Sequence, residues 1–220
     1  MRPLFITGIG TNIGKTVVAA IVTEALKAVY WKPVQAGLEE VTDTQWVRDR
    51  ISNPEGRLLP ETYRLSMPAS PHIAARREGV TISLDKIVEQ FDRIPPSSFL
   101  VIEGAGGLFV PLNETRFVLD LVQRLDATVI LVSRNYLGSI NHSLLTAATC
   151  RANGLRVAGW IFNDQYGQYE QEIARWTGLP AIASIPFQEG PDAEFIRLQA
   201  DRIREALQAA LTGKFGVPLP

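Results

Sequence analysis

Leu4-Phe5-Ile6-Thr7-Gly8-Ile9-Gly10-Thr11-Asn12-Ile13-Gly14-Lys15-Thr16-Val17 joins an apolar run to a glycine-rich turn, and the turn opens a segment of helical character that extends to Ala28. A strand, a glycine turn and a helix in that order form a phosphate-binding element. Glycines let backbone N–H groups converge on an anion, and the helix amino terminus adds the positive end of its dipole. Lys15 supplies a full charge to terminal phosphates, and the Thr16 hydroxyl supplies a ligand for Mg²⁺. Counted from Gly8, the spacer before Gly14-Lys15-Thr16 is five residues, where the common pattern has four. Gly8-x-Gly10 with Gly14 also resembles a dinucleotide loop. The Lys15-Thr16 pair favours a triphosphate, because a pyrophosphate between two nucleosides needs neither group.

Working outward, strands alternate with helices. Val29–Trp31 is a short β-prone run closed by Lys32-Pro33, and the region that carries Pro54, Pro60, Pro68 and Pro71 is the least regular part. Helices are expected at 44–51, 69–78, 84–94, 117–125, 140–153, 169–177 and 193–211, and buried strands at 99–102, 128–132, 157–162 and 181–185. The fold class is therefore α/β, a mainly parallel sheet covered by helices on both faces and similar to phosphate-loop NTPases. One domain over residues 1–212 is expected, with 213–220 a loose tail.

At 220 residues and 46% hydrophobic, the chain can bury a substantial core. The net charge of -1 gives no reason to expect nucleic acid or an anionic membrane as partner. Cys150 alone precludes an internal disulfide, and without a long apolar span or signal block the cytoplasm is the expected compartment. Cys150 falls in an apolar helical stretch and reads as core. His72 and His142 have no metal-ligand spacing, so neither a zinc site nor a hydrolytic triad is supported.

Ligands of parallel sheets bind at the carboxyl ends of the strands. The phosphate loop, Lys32, Glu103, the loop after Val132 and Asn163 all fall there. Glu103 ends an apolar strand and precedes Gly104-Ala105-Gly106-Gly107, the place of a metal carboxylate in nucleotide hydrolases. With Thr16 and an acid from Glu39, Glu40 or Asp43, it can hold Mg²⁺. Lys32 can neutralise charge on a transferring phosphoryl group. Asn163 can pair with N6 and N7 of adenine, and Asn163-Asp164-Gln165 lacks the lysine of GTPases, which favours ATP.

Taken together these motifs resemble dethiobiotin synthetases: Thr7-Gly8 through Thr16, Lys32-Pro33-Val34-Gln35-Ala36-Gly37, Ser70-Pro71-His72, Glu103 through Gly107, Leu137-Gly138-Ser139-Ile140-Asn141-His142, and Ala158-Gly159-Trp160 with Asn163-Asp164. The resemblance implies an ATP- and Mg²⁺-dependent ligase that inserts CO₂ between the amines of 7,8-diaminononanoate. Lys15, Lys32 and Thr11 would be its catalytic residues, and Thr16, Asp43 and Glu103 its metal ligands. ATP would meet Asn12, Ile13, Gly14, Lys15, Thr16 and Val17 of the loop, Asp43, Glu103, Gly104, Ala105 and Gly106, with Asn163, Asp164 and the Pro186-Phe187-Gln188 turn receiving adenine. Substrate would meet Lys32, Ala36 and, from the partner of a homodimer, Gly138, Ser139, Ile140 and Asn141. Ala36 stands where these enzymes commonly carry a hydroxyl. A ParA/MinD-like ATPase switch is the alternative, but Gly10 replaces the early lysine of that class and the last helix has no basic face. An NAD(P) oxidoreductase would want an acid after the second strand, where Trp31-Lys32-Pro33 stands.

Overall fold

A computed structural model describes residues 3–38, 41–95, 99–164 and 169–212. Glu39, Glu40, Gln165 and the expected tail at 213–220 lie outside the described residues.

The central sheet is built from β1 (Leu4–Gly8), β2 (Val29–Trp31), β4 (Leu58–Leu59), β6 (Leu100–Glu103), β7 (Thr128–Arg134), β8 (Val157–Asn163) and β9 (Ala181–Ile185). Its order is β4-β2-β6-β1-β7-β8-β9, every pairing parallel. A second, two-stranded parallel sheet pairs β3 (Val34–Ala36) with β5 (Tyr63–Leu65). The helices are α1 (Lys15–Leu26), α2 (Asp43–Arg48), α3 (Pro71–Arg77), α4 (Leu84–Asp92), α5 (Val118–Arg124), α6 (Ser139–Ala152), α7 (Glu170–Thr177) and α8 (Ala193–Leu211).

Alternation along each strand sorts the core into two layers. Leu4 and Ile6 of β1, Tyr30 of β2 and Val101 of β6 face a cluster closed by α1, α2 and α8, through Val18, Ile21, Val22, Val47, Ile196 and Leu207. Phe5, Trp31, Leu100 and Ile102 face the opposite cluster, closed by α3 to α7 through Ala74, Ile87, Leu121, Cys150 and Ile173. Each fully buried aliphatic side chain contributes roughly 1.5–3 kcal/mol against exposure. The expected fold class stands, with both faces of a parallel sheet covered.

Two local expectations differ. Pro33 was expected to end pairing, and it does end β2, but the chain resumes one residue later. Pro33 O accepts the Tyr63 N–H, and Val34–Ala36 then pair with Tyr63–Leu65. The irregular region thus contains β4 and β5. Several helices also begin or end one to three residues from their expected limits; α1 starts at Lys15 and α2 at Asp43. The offset at α2 places the candidate ligand Asp43 on the helix's first turn.

Candidate active site

The phosphate loop accommodates its additional residue by left-handed backbone. Asn12 has φ 57° and Gly14, the residue before α1, φ 86°. Asn163 Nδ2 donates to Ile13 O at 3.2 Å, so a Cβ on Gly14 would fall 2.1 Å from that nitrogen. Glycine is thus required at 14 both by conformation and by the close approach of β8. The 104–107 loop packs on the same turn: a Cβ on Gly107 would lie 3.1 Å from Gly8 O.

Four charged groups and two hydroxyls converge behind the loop. Thr16 Oγ1 stands 2.8 Å from Asp43 Oδ1 and 2.8 Å from Glu103 Oε1. Lys32 Nζ lies 2.6 Å from Asp43 Oδ2 and 2.9 Å from Glu103 Oε1. Tyr30 donates its phenol to Glu103 Oε2 at 2.8 Å, and Lys15 Nζ donates to Gly10 O at 2.8 Å. Register explains the meeting. Trp31 pairs with Ile102, so Lys32 emerges beside Glu103, while Ile6 pairs with Glu103 and leads into the loop. Asp43 arrives on the first turn of α2, fixed by a capping box in which Thr42 and Gln45 exchange hydrogen bonds. Gln35 Oε1 accepts the Asp43 N–H at 3.3 Å.

Burial sets the electrostatics. Desolvation lowers Lys15 to a pKa of about 8, against the attraction of Glu103. For Lys32 desolvation also pushes downward, yet Glu103 and Asp43 overcome it and raise the pKa above its ordinary value. Asp43 is held below the ordinary carboxylate value, because Lys32 outweighs the upward push of burial. Burial and the neighbouring carboxylates keep the Tyr30 phenol protonated well above its usual range.

Of the other expected site residues, Asn163 ends β8 opposite Ile185, so the Pro186-Phe187-Gln188 turn flanks it. Asp164 pairs with Arg134 at 2.7 Å and donates its N–H to Ile185 O at 2.9 Å. Thr11, Asn12 and Ile13 line a cleft of about 390 Å³ with Arg134, Asn135, Tyr136 and Asp164. Ala105 and Gly106 follow β6 beside the loop, and Val17 continues α1. Ala36 ends β3, half-buried. Gly138, Ser139, Ile140 and Asn141 start α6, across β1 from Glu103, where Tyr136 Oη and His142 Nδ1 stand 2.7 Å apart. A larger hollow of about 520 Å³ is lined by Thr81–Asp85, Asn113, Thr115, Arg116 and residues of α5, and includes none of these groups. Tyr30 and Gln35 are site residues that the sequence reading passed over. The two-residue spacing of Tyr30 and Lys32 at the end of a β-prone run was the available signal.

A family model described as an AAA domain matches residues 2–194. The ATP-dependent dethiobiotin synthetase of Cytophaga hutchinsonii is 45% identical over 206 residues, covering 92% of this chain and 97% of the relative. That of Nitrobacter hamburgensis is 48% identical over 205 residues, covering 92% and 91%.

The chain belongs to the dethiobiotin synthetase family.

Solved structures add the fold alone. MinD of Aquifex aeolicus superimposes with a TM-score of 0.56 at 15% identity, covering 100% of both chains. A ParA family ATPase of Chlorobium tepidum TLS gives 0.54 at 13%, covering 98% of this chain and 96% of that one. The alternative of a ParA/MinD-like switch thus rests on architecture shared across phosphate-loop NTPases, whereas the dethiobiotin synthetase relatives match in sequence over nearly the whole chain. No described helix is long and apolar enough to cross a membrane.

Proposed function

We propose that this chain closes the ureido ring of dethiobiotin, joining CO₂ to the two amines of 7,8-diaminononanoate at the expense of ATP. One amine takes up CO₂ and loses a proton, giving a carbamate. A carbamate oxygen attacks the γ-phosphorus, and the bond to ADP breaks. The second amine then attacks the carboxyl carbon and loses a proton to solvent, and the C–O bond to phosphate breaks as the ring closes. The nucleophiles belong to the substrate, so the protein's task is to position them and to stabilise charge. The carrying observation is Lys32, only 5% exposed and clasped by Asp43 and Glu103 beside the Thr16 hydroxyl. This supports a lysine held in its charged form by two carboxylates for the carbamate and transferring phosphoryl, while Lys15 serves the terminal phosphates.

The residues present fit Mg²⁺. Thr16 has one proton to donate but two carboxylate oxygens at 2.8 Å, and all three donors are hard oxygens. Phosphate oxygens and water would complete the ion's coordination. Thr16, Asp43 and Glu103 would hold it, and the bound cation supplies countercharge to the phosphates. Adenine would sit between Asn163 and the 186–188 turn, with Oδ1 of Asn163 free to accept after Nδ2 has donated to Ile13.

A homodimer is part of the reading. Leu137, just before the Gly138 that precedes α6, and Leu145 on α6 are both exposed apolar side chains. These two exposed leucines at the start of α6 support a subunit contact there, which would bring the amino terminus of α6 to the partner's substrate carboxylate. Lys32→Ala tests the central role. We expect kcat/KM for the diamine to fall about 10²–10³-fold or more, the usual loss for a charge-stabilising donor. Near-normal turnover in that variant would remove Lys32 from the reaction.

A further inference from the structure

Glu103 is 1% exposed, and its two oxygens have different company. Oε1 meets Thr16 and Lys32, whereas Oε2 meets the Tyr30 phenol at 2.8 Å. Tyr30 is itself fully buried on β2, two residues before Lys32, which directly follows the strand, and both side chains reach Glu103. A phenylalanine would fill the same place against Ile6 and Val101. The hydroxyl is accounted for by Glu103 alone: remove it, and a buried carboxylate oxygen loses its donor. The carboxylate would then be free to rotate, sharing either oxygen with Lys32. Groups that orient a metal ligand in this way shape affinity for the ion without touching it.

We propose that Tyr30 is a positioning residue which locks Oε2 of Glu103 and thereby presents Oε1 to the cation and to Lys32. The inference rests on the reading of Thr16, Asp43 and Glu103 as metal ligands, and the experiment separates the two. The full-length wild type, Tyr30→Phe, Glu103→Gln and the double variant are titrated with Mn²⁺ in the presence of ADP, and free Mn²⁺ is followed by electron paramagnetic resonance. ADP affinity in chelator and KM for the diamine are measured alongside.

Tyr30→Phe is expected to weaken Mn²⁺ binding by about 10-fold, the low end of the roughly 10–100-fold range for such partners. The Mg²⁺ concentration for half-maximal rate should rise in step, with metal-free ADP affinity and diamine KM unchanged. Glu103→Gln should weaken Mn²⁺ binding at least as much, and Tyr30→Phe should add nothing in that background. Wild-type Mn²⁺ affinity in Tyr30→Phe, whatever its melting temperature, or an additive loss in the double variant, would overturn the role of Tyr30 and leave the metal assignment standing. Unchanged Mn²⁺ affinity in Glu103→Gln would overturn the metal assignment and the inference with it.

Discussion

Burial holds Lys15 at a pKa of about 8, so its ammonium is charged below that pH and lost above it. The free enzyme's ionisations govern kcat/KM, and the terminal phosphates need the charged form. We therefore expect kcat/KM for ATP to be level through neutrality and to fall as pH rises through about 8. A profile flat to well above pH 9 would show that the loop lysine stays charged or is not required. At this scale much of the candidate site was legible in the sequence. Gly14-Lys15-Thr16 is a motif with a mechanism, and Glu103 stands where an apolar run meets a glycine loop. Asp43 was not separable from Glu39 and Glu40 by charge. The separating signal was Thr42 with Gln45, a capping box that puts Asp43 on a helix's first turn. Tyr30 carried only the weak signal of its spacing with Lys32, because an aromatic in a strand is already explained by packing, and it is the tertiary fold that brings Glu103 within reach of its hydroxyl.

Among the elements, α1 is anchored at both ends. Its amino end is the phosphate loop, and its carboxyl end is clasped by Glu24, buried at 2%. Glu24 accepts from Ser52 Oγ at 2.7 Å, from Ser52 N at 3.0 Å and from Lys27, with Arg57 close by. Desolvation pushes the Glu24 pKa upward, but the bonds from Lys27 and Ser52 prevail and hold it below the ordinary 4.5. A carboxylate with a depressed folded pKa contributes stability that is present above the unfolded pKa and lost as pH falls through the folded value. Glu24→Gln should therefore be less stable than wild type at neutral pH, with the difference shrinking as acid protonates Glu24 in the wild type. Denaturant unfolding at several pH values checks this, and a difference that persists unchanged into strong acid would contradict it. The same scale explains what the sequence hid. The strands β3, β4 and β5 have two or three residues each, too short to show alternation, and they pair with segments about 30 residues away. Pro33 correctly marks the end of β2, yet a missing N–H at one residue does not prevent pairing at the next.

For the whole molecule, the parallel sheet gathers residues more than 80 positions apart at one edge. Thr16, Lys32, Asp43 and Glu103 meet because β1, β2 and β6 are neighbours, and Asn163 reaches the loop because β8 lies two strands away on the other side. The alternation of strands with helices made this architecture legible from the sequence. It could not reveal which loops touch, since that depends on strand order. The fold is shared with MinD and ParA proteins, so architecture does not choose between water and a carbamate as phosphoryl acceptor. The choice rests on the clasped Lys32 and on the family to which the chain belongs. The direct measurement supplies ¹⁴C-bicarbonate, MgATP and 7,8-diaminononanoate to the purified protein and follows both acid-stable radioactivity and phosphate. We expect one labelled carbon fixed per phosphate released, and neither signal when the diamine is omitted. Phosphate release that proceeds without the diamine and is stimulated by DNA or lipid vesicles would contradict the account.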